Sequence, residues 1–122
     1  MIGYVGNIEQ QSESNNNFRT VIYTGKHSQL VLMSLQIGEE IGVEVHEDND
    51  QFFRLEIGRL KIIMNDEENI IEAGMAAVVP AGTTHNIINV GDSVAKLYTL
   101  YSPAHHPEDT VHKTKEEAMK AE

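Results

Sequence analysis

Gly74-Met-Ala-Ala-Val-Val-Pro80-Ala-Gly82-Thr-Thr-His85-Asn-Ile-Ile-Asn89 is the stretch on which the reading of this chain turns. Ala76 to Val79 is an apolar run, expected as a buried strand. Pro80 and Gly82 then fix a turn, and a second strand opens on His85. A histidine presented just past a rigid turn is placed to act as a ligand or as an acid/base. One histidine makes no site, so the remainder of the chain has to supply its partners.

Working outward, short strands separated by turn signals fill the chain. Upstream, Asn65-Asp66-Glu67-Glu68 reads as a hairpin turn between Leu60–Met64 and a strand through Ile70 and Ile71. Gln51 to Ile57 alternates, with Gln51, Phe53, Leu55 and Ile57 on one face and Phe52, Arg54 and Glu56 on the other. Val43 to His46 alternates too: the valines face one way, Glu44 and His46 the other. Gln29–Leu35 and Phe18–Tyr23 are further strands, and Val94–Tyr101 is the last. Residues 1–17 are expected as an extended arm with short edge strands. Thr114 and Glu117 have capping-box spacing, which predicts a short C-terminal helix over Lys115–Ala121. The class is all-β, a sandwich or barrel, in one domain. Its core spans about residues 18–102, with the arm at 1–17 and a loop and helix at 103–122.

Composition removes several functions. The formal charge is −10, with only nine Lys and Arg, three of them (Lys113, Lys115, Lys120) near the C-terminus. Phosphate-backbone and anionic-membrane binding need clustered positive charge, so neither nucleic acid nor membrane is expected as a partner. The absence of cysteine removes disulfides, thiolate nucleophiles and thiolate metal ligands. The first residues carry no basic, apolar leader pattern, and no stretch approaches the roughly 20 apolar residues of a membrane span. A soluble cytoplasmic protein is the expectation.

Glu44 and His46, two apart on a strand, point to one face with Cα atoms roughly 6.5–7 Å apart. If the next strand pairs with theirs as a hairpin, Gln51 falls near His46 on that face. His85, on a neighbouring strand of a closed sheet, would complete the set. Two imidazoles, a carboxylate and an amide oxygen converging at a barrel mouth suit a divalent transition metal with open positions. Taken singly, each has an ordinary alternative: a hydrogen-bonded histidine, a solvated strand glutamate, an amide supporting its neighbours.

Residues 38–58 resemble the first cupin motif, running from Gly38 through Glu44-Val45-His46 and Gln51 to Gly58. Residues 74–89 resemble the second, with Gly74, Pro80, Gly82, His85 and Asn89 in place. Further segments, among them Asp50-Gln-Phe-Phe-Arg54, Leu97-Tyr-Thr-Leu-Tyr-Ser-Pro103 and Thr110-Val-His-Lys-Thr-Lys115, are similar to small bacterial single-domain cupins of the mannose-6-phosphate-isomerase-like group. The resemblance implies a double-stranded β-helix, or jelly-roll, barrel of RmlC-like type, usually a homodimer, with a metal in its bowl. Carried over residue by residue, the metal ligands are Glu44, His46, Gln51 and His85, and the ion is Zn, Ni, Mn, Fe or Co. Two positions depart from the motif: Glu44 replaces its first histidine and Gln51 its glutamate. Gly38, Gly58, Gly74, Pro80, Gly82 and Asn89 are read as framework, Asn89 as a backbone-bonding residue.

The function this implies is metal-dependent chemistry on a small polar metabolite, a sugar, sugar phosphate or keto acid, of isomerase, lyase or oxygenase type. Glu44 serves as catalytic base if it is not a ligand. Phe53, Met33 and Tyr101 are the expected pocket residues. His105-His106-Pro107 and His112 read first as a surface loop, with the alternative that His105 or His106 folds over the mouth as a lid or acid/base. Arg54 belongs to the outer face. The competing reading is a non-catalytic cupin that binds or senses a small ligand.

Overall fold

Period-two alternation builds two sheets around one interior. In the computed structural model, which describes residues 2–121, the strands are β1 (Arg19–Thr24), β2 (Gln29–Leu35), β3 (Asp50–Ile57), β4 (Arg59–Met64), β5 (Glu67–Glu72), β6 (Ala76–Val79), β7 (His85–Asn89), β8 (Ala95–Ser102) and β9 (Val111–His112). Helices α1 (Ile8–Ser14) and α2 (Lys115–Lys120) flank them. One sheet has six strands in the order β6-β3-β8-β2-β1-β9, the other three in the order β5-β4-β7. All pairings are antiparallel. This is the expected jelly-roll barrel with a short C-terminal helix. Among the described residues no helix is long and apolar enough to cross a membrane.

The inward face changes character along its length. At one end the register sets Gln51 opposite Tyr101 and Tyr101 opposite Gln29. Successive inward residues are then apolar: Phe53 and Leu55 on β3, Val31, Met33 and Leu35 on β2, Leu60 and Ile62 on β4, Ile87 on β7 and Leu97 on β8. These side chains are almost completely buried, and their removal from water stabilises the barrel. Polar groups therefore gather at one mouth of an otherwise apolar interior.

Asn89 closes the opposite end. Its Nδ2 donates to the carbonyls of Leu35, Gln36 and Ser93, and its Oδ1 accepts from the Gly91 N–H. Nearby, Gly58 has a φ of 109°, and a Cβ there would stand 3.1 Å from the Ala95 Cα. Both the backbone conformation and the close approach exclude a side chain.

Several local expectations are corrected. The arm is not extended: Asn7 caps α1 by accepting from the Gln10 N–H. The apolar stripe that would have announced this helix is missing because its buried residue is Ser12. Lys96 anchors the segment after α1, donating to the Asn15 carbonyl, Asn16 Oδ1 (3.0 Å) and Ser34 Oγ (3.2 Å). Ala76–Val79 is a strand, but only Val79 is buried, because β6 lies at the edge of its sheet. Val43–His46 does not pair with β3 as a hairpin. It runs beside β7 through the Glu44–His85 bridge, so Glu44 and Gln51 approach the mouth from different sheets. Thr114 caps the C-terminal helix as expected, its Oγ1 accepting from the Glu117 N–H at 3.1 Å, but Glu117 Oε2 accepts from the Lys113 N–H and not from the Thr114 N–H, so the box is incomplete.

Replacing Asn89 with alanine strands three carbonyls at the closed end. The expected loss is about 2–3 kcal/mol of unfolding free energy, seen as a lower urea midpoint with an unchanged slope. A loss within the error of the extrapolation would show that this amide does not hold the barrel end.

Candidate metal centre

Glu44 and His85 are brought together by backbone geometry. Each donates its N–H to the other's carbonyl at 2.9 Å, so the two form one hydrogen-bonded antiparallel pair with side chains on one face. His46, two residues on, shares the face of Glu44. Its alternation partners Val43 and Val45 are exposed, which inverts the usual arrangement of apolar-in and polar-out. The His46 carbonyl accepts from the Gly82 N–H at 2.9 Å, and Asp50 Oδ1 accepts from the Ala81 N–H at 2.9 Å. The Pro80–Gly82 turn thus holds the loop between Glu44 and Gln51 in place.

His46 Nε2 is buried and stands 2.8 Å from Glu44 Oε2, so the Glu44 carboxylate is its near neighbour at the mouth. The His85 ring centroid lies 5.3 Å from that of His46. Nδ1 of His85 is 2.9 Å from the Thr83 carbonyl; donation there leaves Nε2 as the nitrogen with a lone pair. Gln51 is fixed by Nε2 donating to Thr99 Oγ1 at 3.0 Å, while its buried Oε1 has no partner. Burial alone would raise the Glu44 carboxyl. The hydrogen-bond contact with His46 and the attraction of Glu44 to His46, Arg19 and His85 outweigh it, holding Glu44 below the usual carboxylate range.

The histidine loop folds over the mouth. Buried Gln29 accepts at Oε1 from the N–H groups of His105 (3.0 Å) and His106 (2.9 Å), and donates to the His106 carbonyl (2.7 Å) and Thr24 Oγ1 (3.0 Å). Asn49 Nδ2 donates to the Pro103 carbonyl at 2.6 Å. The His105 ring then lies 4.2 Å from that of His46 and stacks at 5.3 Å on Tyr101. Nε2 of His106 is 3.2 Å from the Tyr101 hydroxyl. Burial, with the charges of Arg19, His105, His112 and His46, pushes the His106 pKa down to about 3, so its ring is neutral at neutral pH. Burial raises the Tyr101 phenol above its ordinary value, so it keeps its proton.

The structure therefore assembles Glu44, His46 and His85 at one mouth, with Gln51 reaching the same end from β3. It brings His105 to the same group on an exposed loop folded over the mouth, the alternative weighed for it in the sequence; the ligand atoms of Glu44, His46 and His105 all lie within 4.8 Å of one another. Tyr101 touches this group, whereas Met33 and Phe53 lie deeper, in the apolar core. Arg54 is on the outer face, 3.2 Å from Glu56. Gln29, Asn49 and Arg19 were missed. The signal for Gln29 and Arg19 was a polar residue in phase with inward apolar ones: Gln29 with Val31 and Met33, Arg19 with Val21.

This donor set fits a cation. Gln51 Oε1 is buried without a hydrogen-bond partner, which is costly, and His46 Nε2 meets the Glu44 carboxylate in the same place. Nitrogen and oxygen donors without sulfur suit divalent transition metals; Glu44, His46 and His105 have the spacing to hold one, with His85 and Gln51 beside them as the further candidates.

Comparison with known proteins agrees with the fold. A family model for the cupin domain matches residues 31–101. The chain is 48% identical over 126 residues to YrkC of Bacillus subtilis, a protein described as uncharacterized, covering 98% of this chain and 67% of that one. The crystal structure of BH2720 from Bacillus halodurans superposes with a TM-score of 0.94 at 42% identity, covering 96% of this chain and 93% of that one. An RmlC-like cupin from Shewanella frigidimarina superposes at 0.65 with 19% identity over 72% of this chain and 77% of that one, a likeness of fold. A jelly-roll barrel with both motifs in their expected places, matched along most of its core, belongs to the cupin family.

Proposed function

We propose that this chain is a metal-binding cupin that acts on a small polar metabolite carrying adjacent oxygen functions, such as a sugar, sugar phosphate or keto acid. The observation that carries the reading is the cluster of Glu44, His46 and His105, whose ligand atoms lie within 4.8 Å of one another, beside the buried Gln51 Oε1 that has no hydrogen-bond partner. A bound divalent ion supplies Lewis-acid polarisation of a substrate oxygen. The chain's own residues do the rest. Thr83 orients the His85 ring through Nδ1, and Thr99 orients the Gln51 amide. Glu44, held ionised, accepts a proton or completes the ligand set. Tyr101 keeps its phenolic proton and presents a hydrogen-bond donor beside the imidazoles. Gln29 and Asn49 hold the lid over the mouth, which limits water around the reacting group.

A homodimer in the cytoplasm completes this reading. It is supported by the exposed apolar side chains of Ile70, Met75 and Val78, which line one surface groove beside the edge strand β6.

Metal content is the first test. Purified protein supplemented with Mn, Fe, Co, Ni or Zn is expected to retain one of them through gel filtration, as read by mass spectrometry, and His46→Ala/His85→Ala to lose it. Equal metal in both proteins would sink the metal assignment. Catalysis is tested separately on a panel of sugar phosphates and keto acids. Turnover is expected to fall by about 100-fold in Glu44→Gln. Saturable binding of a panel member without turnover would instead make the protein a binding or sensing cupin.

A further inference from the structure

Two cations of this acidic chain are buried, and they are treated differently. The Lys96 ammonium is met by three oxygens, from Asn15, Asn16 and Ser34. Arg19 has 4% of its surface exposed, and its guanidinium is far less well satisfied. Nη1 is 3.2 Å from Nδ1 of His112, the carbon centre sits 5.3 Å from the Phe18 ring, and Nε is buried with no hydrogen-bond partner. Among the described residues no Asp or Glu lies in ion-pair contact with it. A guanidinium carries five N–H donors and cannot lose its charge in a protein. His112 Nδ1 accepts from one of these donors, and burying Nε without an acceptor is costly. The Phe18 face offsets part of that and offers no acceptor.

Arg19 lines a cavity of about 160 Å³, with His105, His106, Pro107, Thr110 and His112 around it. The cavity is roofed by the loop that Gln29 and Asn49 hold closed. Its His105 wall is the imidazole that packs on His46, so it abuts the candidate metal centre. Arg19's positive charge reaches that centre, favouring the ionised forms of Glu44 and Tyr101 and the neutral form of His106.

We propose that this cavity is a binding site for a small oxyanion, a phosphate or carboxylate group, held by the Arg19 guanidinium under the His105–Thr110 loop. The planar fork of a guanidinium matches two oxygens of either group, the imidazole walls add donors, and among the described residues no Asp or Glu lines the cavity. The site needs no metal. Its extension to substrate, a molecule with its anionic end on Arg19 and its reacting oxygens beside Glu44 and His46, rests on the proposed function.

The test uses full-length protein treated with EDTA, so that failure of metal binding cannot imitate failure of this site. Inorganic phosphate and acetate are titrated by calorimetry, with the Arg19 guanidinium resonances of the wild type followed by NMR in parallel. Saturable binding of at least one anion is expected, with the Arg19 resonances moving on the same isotherm. Arg19→Gln should weaken binding by roughly 10–100-fold, and Arg19→Lys by less. Stationary Arg19 resonances through the titration overturn the proposal, whether or not Arg19→Gln folds. So does equal affinity in wild type and a folded Arg19→Gln. Phosphate binding without acetate, or the reverse, assigns the anion.

Discussion

The reciprocal backbone hydrogen bonds between Glu44 and His85 are the constraint on which the rest of this structure depends. They pin an irregular segment, too short of ladder bonds to be a strand by itself, against β7. From that one register follow the shared face of Glu44 and His85, the position of His46, and the exposure of Val43 and Val45. A slip of one residue would turn the valines inward and put the carboxylate and imidazole in water. The turn at Pro80–Gly82 then binds the loop between the sheets, so the second sequence motif holds the first in place.

The polarity of the interior follows from the same geometry. Each inward row runs from a polar residue at the mouth to apolar residues below: Gln51 to Phe53 and Leu55, Tyr101 through Thr99 to Leu97, His85 to Ile87. The lower part supplies the burial that stabilises the barrel. The upper part is left with imidazoles, a carboxylate and an amide that have too few partners in the protein, which is the condition in which a cation or an anionic ligand is worth binding. The unsatisfied Gln51 Oε1 sits at this end, and buried Arg19, paired in register with Met33, lines the cavity that His105 shares.

Most of the barrel was legible in the sequence because its signals are local. Alternation in Gln51–Ile57, the Pro80–Gly82 turn and the Thr114 cap are each decided within a few residues. What was missed depended on distant contacts. The helix Ile8–Ser14 buries only Ser12 and has no apolar stripe to read. The exposure of Ala76 and Val78 follows from the edge position of β6, which the run of apolar residues does not encode. Glu44, His46, Gln51 and His85 were nameable because each sits at a strand position whose face is set by period two. His105 could be offered only as an alternative to a plain surface loop, because its place over the mouth comes from Gln29, 76 residues away in the chain. Gln29 itself was visible in principle, as an amide in phase with Val31 and Met33.

The most direct measurement is X-ray absorption at the metal edge of protein loaded with Co or Zn, because it reads the ligands and not their consequences. A divalent ion held at the mouth by His46, His85 and His105 gives the multiple-scattering pattern of imidazole, which diminishes in His46→Ala. A spectrum of oxygen scatterers alone, unchanged by that substitution, would contradict a metal centre built on these histidines.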